Sequence, residues 1–368
     1  MTRQLVLSVN VGSSSVKLAL FDMTTDQKIW RETFSYEQPN LVAMSFQSDF
    51  KQKLDELPVV QIMAVAHRVV DGGDIEAQVI NASWHEWADE QRGYAPLHLP
   101  IQLEIIKVMQ QLLPDAVHVA VSDNAQFAQL PLSKRIYAIP MQLTTKYQIY
   151  KRGAHGLSVD SVRYYLQRSQ LDYQRVLIMH LGSGSSLTAL DGDEFVDTSM
   201  GLTPTTGVVM GTRSGDVDFM VVHELMERAG LSLDEVIRLL NERSGLLGIS
   251  GGLSSDQRTL LANELSNDNA RLAVEVLITS IVGYAAKFIT ELGGVDAVIF
   301  TGGMGENSAE IRRRIVERMA VFGLAVDNNH NLNNEVMIQD KTSRADILIV
   351  PANEDRVMVQ KVKQVLKR

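Results

Sequence analysis

SVNVGSSSVKLALFD (residues 8–22) joins two strand-like apolar runs through one glycine and three serines, with a lysine just beyond. The Val- and Leu-rich flanks predict buried strands, and four small residues between them predict a tight hairpin. Such a turn leaves backbone N–H groups exposed beside hydroxyls, which makes a cradle for phosphate oxygens. It joins strand to strand and lacks GxxxxGK[ST], so it is not a Walker loop. VLIMHLGSGSSLTALDGDEF (residues 176–195) repeats the theme of strand, Gly/Ser turn, strand. With Gly182 set under Gly12, MHLGSGS lies under VNVGSSS. One reading is a duplicated domain whose two hairpin turns face the same cleft; the other is two unrelated hairpins.

The rest of the chain bounds what such a fold does. Its 368 residues suggest two domains, and 45% hydrophobic with 21% charged residues is enough to build a large core. There is no cysteine. Disulfides, thiolate nucleophiles and Cys-ligated zinc are therefore excluded, which fits a reducing compartment. No apolar leader and no run of 18 apolar residues is evident, so a soluble, cytoplasmic protein is expected. A formal net charge of −9 argues against nucleic acid as partner. A small anionic substrate remains compatible if a few cations gather in one place.

Strands are expected over residues 5–11, 16–23, 28–36, 62–70 and 117–122, and a helix starts with Pro100 and stops at Pro114. In the second half, Ser232 with Glu235 forms a capping box for a helix that Gly245 ends. Residues 269–292 read as a long apolar helix closed by Gly293 and Gly294. Residues 296–319 read as a buried strand, a glycine turn and a helix capped by Ser308. The domain boundary is placed within residues 125–160, giving domains over 1–145 and 146–353. Helix 354–368 is expected to pack back on the first.

Several short motifs carry chemistry. FTGGMGENS (residues 300–308) delivers three glycines to a helix N-terminus, which favours a nucleotide over a plain turn. Arg68 in HRVVDGG and Arg213 in MGTRSGD suit a clamp on a transferring phosphoryl group, although either alone also suits a surface ion pair. His155 in RGAHG and His98 in APLHLP stand beside glycines and prolines rather than in core patterns. Asp123 ends a strand, where a carboxylate is readily aimed at a ligand. Asp256 with Arg258, and Asn353 to Asp355, read either as helix caps or as ligand contacts. The HExxH motif of metal proteases is absent.

Taken in order, NVGSSSVKLALFD, AHRVVDGG, APLHLP, HLGSGSS, DTSMGLTP, MGTRSGDVD, SSDQR, FTGGMGENS and PANED resemble the acetate kinase family, nearly end to end. The resemblance implies an α/β fold of two ribonuclease-H-like, actin-like ATPase domains with a nucleotide cleft between them. It implies Mg²⁺-dependent (alternatively Mn²⁺-dependent) transfer of the ATP γ-phosphoryl to a short-chain carboxylate, giving an acyl phosphate and ADP, and a homodimer. By the same resemblance Asn10 and Glu354 face the metal. Lys17, Ser13 and Ser15 face the phosphates. Arg68, Val70, Leu97, His98, Ala154 and Pro204 bind the acid. Asp123, His155 and Arg213 are catalytic. His180, Leu181, Gly182, Ser183 and Gly184, with Asp256, Gln257 and Arg258 and with Gly303, Met304, Gly305, Glu306 and Asn307, line the nucleotide.

An ionised carboxylate needs no general base to attack phosphorus; it needs relief from repulsion, which cations supply. Asp123 is therefore expected to orient Arg68 or metal-bound water. The chain also departs from the family pattern. Asp71 stands where His is usual, SDNAQF (residues 122–127) replaces FDTAFH, Ser183 replaces Asn, and Ala154 replaces an aromatic residue. The last change enlarges the acyl pocket, so an acid larger than acetate is expected, unless Gln126 or Phe127 fills the space. A non-catalytic ATP-binding relative and a sugar kinase of the same superfamily are the alternatives.

Overall fold

The computed structural model describes residues 4–12, 15–36, 42–56, 61–93 and 99–367. The chain forms two compact units, Met1–Ala128 with Asn353–Arg368, and Gln129–Ala352.

The first unit holds strands β1 (Gln4–Val11), β2 (Ser15–Asp22), β3 (Lys28–Ser35), β4 (Gln61–Val69), β5 (Ala77–Val79) and β6 (Val117–Ser122). They form one sheet in the order β3-β2-β1-β4-β6-β5. The hairpin β1–β2 is antiparallel, whereas β1, β4 and β6 run parallel. Helices α1 (Val42–Glu56), α2 (Ala82–Glu90) and α3 (Leu99–Leu112) pack against the sheet, as does the C-terminal helix Glu354–Leu366. The two-residue period of a strand sorts the side chains. Leu5, Leu7 and Val9 of β1 pack with Phe46 and Phe50 of α1 and with Ile105 and Met109 of α3. Ser8 and Asn10 therefore point to the other face, where they meet Asp355 and Glu354 of the C-terminal helix.

The second unit repeats this plan. Its strands β7 (Arg175–Leu181), β8 (Ser185–Asp191), β9 (Glu194–Thr198), β10 (Ala297–Thr301) and β11 (Asp346–Ile349) lie in the order β11-β10-β7-β8-β9. β7–β8 is an antiparallel hairpin, and β7, β10 and β11 are parallel. Read from the hairpin outward, this matches β6-β4-β1-β2-β3 strand for strand, which favours the duplicated domain over two unrelated hairpins. One detail differs. β1 and β2 pair Asn10 with Lys17, while β7 and β8 pair His180 with Ser186. The second turn is one residue shorter, so Ser186 takes the place of Lys17.

Eleven helices complete this unit: α4 (Leu132–Arg135), α5 (Met141–Tyr147), α6 (Gly156–Arg168), α7 (Phe219–Ala229), α8 (Leu233–Glu242), α9 (Gly245–Ile249), α10 (Gln257–Asn263), α11 (Asp268–Glu291), α12 (Gly302–Asn307), α13 (Ala309–Arg318) and α14 (Asn328–Leu332). Among the described helices α11 alone has the length and apolarity to cross a membrane, and its buried side chains pack on Leu177, Met179 and Leu181 of β7. The capping box at Ser232 and Glu235 is present. Two expectations are corrected. The helix begun at Ser232 ends at Arg243, and Gly245 opens α9 instead. The glycines after β10 form the short helix α12, and Ser308 links it to α13 without a side-chain cap. α7 and α8 expose apolar side chains, with Phe219 at 78% and Leu233 at 52%.

Candidate active site

In the first unit the site residues sit where three neighbouring parallel strands end, the usual ligand position in an open α/β sheet. Asn10 lies near the end of β1, Arg68 near the end of β4, and Asp123 directly after β6. Glu354 opens the C-terminal helix. Arg68 Nη2 donates to Asp123 Oδ2 at 2.7 Å, and Nη1 donates to Asn10 Oδ1 at 3.3 Å. Asn10 Nδ2 in turn donates to Glu354 Oε2 at 3.2 Å. The Nε–H of Arg68 is buried and has no partner among the described residues. Burial works against the charge on Arg68, but Asp123 and Glu354 outweigh it and raise its pKa. Burial likewise pushes the Glu354 carboxyl up, with Asp123 and Asp355 adding to the shift. Lys17 is exposed on β2 directly across from Asn10, on the same face of the sheet. Ser15 begins β2, while Ser13, Leu97 and His98 lie outside the described residues.

Two features flank this group, the first of them not singled out by the sequence. Gln102 of α3 accepts from Val70 N and donates to Val11 O, tying the ends of β4 and β1 together. The departures at Asp71 and in SDNAQF converge on one buried network. Asn124 Nδ2 donates to Asp71 Oδ1 at 2.8 Å, and Ser122 Oγ donates to Asn124 Oδ1 at 2.8 Å. The three substitutions are thus partners, and they bracket Asp123.

In the second unit His155 caps α6 with a left-handed backbone, φ 63°. Its Nδ1 lies 2.9 Å from Ser186 Oγ, and its ring stacks on His180 with centroids 4.2 Å apart. Gly184 is where side chains converge. A Cβ added there would stand 3.2 Å from Arg213 Nη1 and 3.3 Å from His155 Nε2. The bare glycine keeps that space open to a ligand. Around it lie His180, Leu181, Gly182 and Ser183 on the β7–β8 hairpin; Gly182 stands within 4.0 Å of Gly303 N by the same construction. Gly302 adopts φ +78°, and a side chain there would collide with Leu181 O at 2.7 Å, so only glycine lets α12 start this close to β7. Met304, Gly305 and Asn307 follow on α12. Glu306 receives Gly302 N and Ala352 N at 3.0 Å each and is occupied with backbone. Asp256 caps α10 and pairs with the exposed Arg258, so capping is the role seen there; Gln257 beside them is buried. Ala154 is buried against Met200 and Met210, and Pro204 O accepts from Arg213 Nη1 at 3.4 Å.

Among the described residues no three His, Asp or Glu side chains gather as a ready-made metal site. A desolvated carboxylate beside a carboxamide is nevertheless the sparse oxygen set that Mg²⁺ accepts when phosphates and water supply the rest. The donor chemistry at Asn10 and Glu354 therefore fits that ion.

Comparison with known proteins identifies the family. The profile of the Acetokinase family matches residues 36–360. An acetate kinase from Limosilactobacillus fermentum is 35% identical, with 98% of this chain and 99% of that protein covered. The crystal structure of a propionate kinase from Francisella tularensis superposes with TM-score 0.88 at 34% identity, covering 98% of this chain and 99% of that one. The acetate kinase structure from Porphyromonas gingivalis gives TM-score 0.85 at 30% identity, over 99% and 100% of the two chains. The chain belongs to the acetokinase family, whose members are ATP-dependent carboxylate phosphotransferases.

Proposed function

We propose that the protein reversibly transfers the γ-phosphoryl group of ATP to a short-chain carboxylate larger than acetate, giving an acyl phosphate and ADP. The observation that carries the reading is Arg68, held at 2.7 Å by a fully buried Asp123 and with no partner for its Nε–H among the described residues. A guanidinium fixed in this way binds a carboxylate and withdraws its charge from the approaching phosphoryl group. Asp123 is spent on that pairing, so it orients rather than takes a proton, and a carboxylate nucleophile needs no base. A sugar hydroxyl would need one. His155 Nε2 and Arg213 Nη1, converging over Gly184, present donors to the charge that builds on the transferred group. Lys17 and the Gly/Ser turns hold phosphate oxygens.

Asn10 and Glu354 are the residues that would hold Mg²⁺, which supplies charge neutralisation at the phosphates when bound. Ala154 supports the larger acid: its neighbours Met200 and Met210 are flexible apolar side chains that can repack to admit added methylenes. Each buried methylene contributes about 0.8 kcal/mol. The exposed apolar side chains of α7 and α8 support a homodimer, which sedimentation would show as twice the chain mass.

The test is hydroxylamine trapping of acyl phosphate from ATP and Mg²⁺ across acetate, propionate, butyrate, isobutyrate and valerate. A kcat/KM that peaks beyond acetate is expected. A peak at acetate would remove the enlarged pocket, and no product from any acid would remove the kinase reading.

A further inference from the structure

His155 and His180 are held by a crossed pair of serines. Ser186 stands on β8 directly opposite His180, yet its hydroxyl meets His155 Nδ1 at 2.9 Å. Ser158 stands one turn along α6 from His155, yet its hydroxyl meets His180 Nδ1 at 2.8 Å. Each histidine is thus anchored by the serine beside the other. The two rings between them are stacked at 4.2 Å and inclined by 26°. Both serines are buried, at 1% and 0% exposure. No rotation of one imidazole is possible without breaking a buried hydrogen bond and the stack.

We propose that Ser186 is a positioning residue for phosphoryl transfer: its hydroxyl holds His155 so that Nε2, and not Nδ1, faces the space over Gly184 beside Arg213. The inference rests on the reading of His155 as the residue that stabilises the transferred group. A hydroxyl suits the task because it both donates and accepts. When the imidazole is neutral with hydrogen on Nε2, Nδ1 accepts from Ser186 Oγ–H. When the imidazole is protonated, Nδ1–H donates and the hydroxyl turns to accept. In both of these states the contact keeps Nε2, with its hydrogen, over Gly184. The left-handed backbone at His155 is the other half of the device. It is a sparsely populated conformation for a residue with a side chain, and such strain persists where the surroundings fix it. Ser158 and His180 supply that surrounding by giving the ring a fixed floor. The serine takes the place held by Lys17 in the first unit's hairpin, so the two equivalent turns of the fold serve different ends.

The test compares Ser186→Thr with Ser186→Val, which differ by a hydroxyl at nearly constant volume, and sets both beside His155→Asn. Ser186→Val is expected to lower kcat about 10- to 100-fold with KM for ATP and acid within twofold. Ser186→Thr is expected to stay within threefold of the parent. In the His155→Asn background the Val substitution is expected to cost nothing further. Proton NMR should show the His155 ring held in one orientation, with Nε2 beside Gly184, in the parent and in Ser186→Thr, and averaged over orientations in Ser186→Val. Ser186→Ala serves the same comparison if the Val variant fails to fold. Unchanged kcat in both Ser186→Val and Ser186→Ala, while His155→Asn is crippled, would overturn the role of Ser186 alone. Full activity in His155→Asn would overturn the reading of His155 beneath it.

Discussion

Arg68 satisfies Asp123 and Asn10 with one planar group, and its Nε–H, with no partner among the described residues, is the donor that the proposed function gives to the acid. Lysine carries the same charge as a single point and cannot divide it. Arg68→Lys should therefore lose about 100-fold in kcat/KM for the acid, on the order of 3 kcal/mol, with the loss seen in steady-state kinetics below the variant's melting temperature. A loss below threefold would remove Arg68 from the acid site. In the proposed function Ala154 controls the other end of the acid. Ala154→Phe would place a ring against Met200 and Met210 and take the volume that longer acyl chains use. With two methylenes at about 0.8 kcal/mol each, the butyrate-to-acetate ratio of kcat/KM should fall about tenfold. An unaltered ratio would show that the acyl group lies elsewhere.

The elements were largely legible because each rests on local rules. Buried Val and Leu runs with a Gly/Ser turn mark both hairpins, and the strand expected over 117–122 is the strand observed. What joins elements was not legible. Asp71 and Asn124 lie 53 positions apart, and only the parallel pairing of β4 with β6 brings their ends together. The His155–Ser186 contact likewise needs the start of α6 to meet β8, and the one-residue difference between the turns hides the match of Ser186 with Lys17. As separate departures from a family pattern, Asp71, Ser122 and Asn124 looked like three losses; in the fold they are one network. Because Asp71 is buried, removing the Asn124 donor takes a hydrogen bond from a desolvated side chain. Asn124→Ala should cost about 2 kcal/mol in urea unfolding. Adding Asp71→Ala should recover much of that cost, since the group needing the donor is then gone. Simple addition of the two single costs would refute the coupling.

Two units built on the same plan need not be equally stable, and acid should separate them. Behind Arg68, on the opposite face of the first sheet, His67 Nε2 lies 2.9 Å from His118 Nδ1, and His118 Nε2 lies 3.0 Å from Leu113 O. A carbonyl only accepts, so His118 carries its hydrogen on Nε2 and its Nδ1 accepts from His67 Nε2–H. His67 Nδ1 is then a bare lone pair, buried with no partner among the described residues. A proton on His67 would sit at that atom with nothing to receive it, and one on His118 Nδ1 would oppose the His67 donor. Burial, with His118 and His85 adding repulsion, accordingly depresses the His67 pKa well below 6.5, and burial lowers that of His118. The unfolded chain binds these protons near pH 6.5 and the folded chain does not. Stability is therefore complete above about pH 6.5 and falls as the pH drops toward the folded pKa values, by up to about 1.4 kcal/mol per pH unit for each histidine. Glu354 acts in the opposite sense, since its raised pKa favours the folded, protonated form as the pH falls. Comparing variants isolates the histidines from it. His67→Gln keeps a donor in the place of Nε2 and removes the more strongly depressed titration. In calorimetry from pH 7.5 to 5, the first unit's transition should move to lower temperature in the parent and roughly half as far in His67→Gln, with the second unit's transition moving less in both. An identical acid shift in parent and variant would show that the buried pair is not what makes the first unit acid-labile.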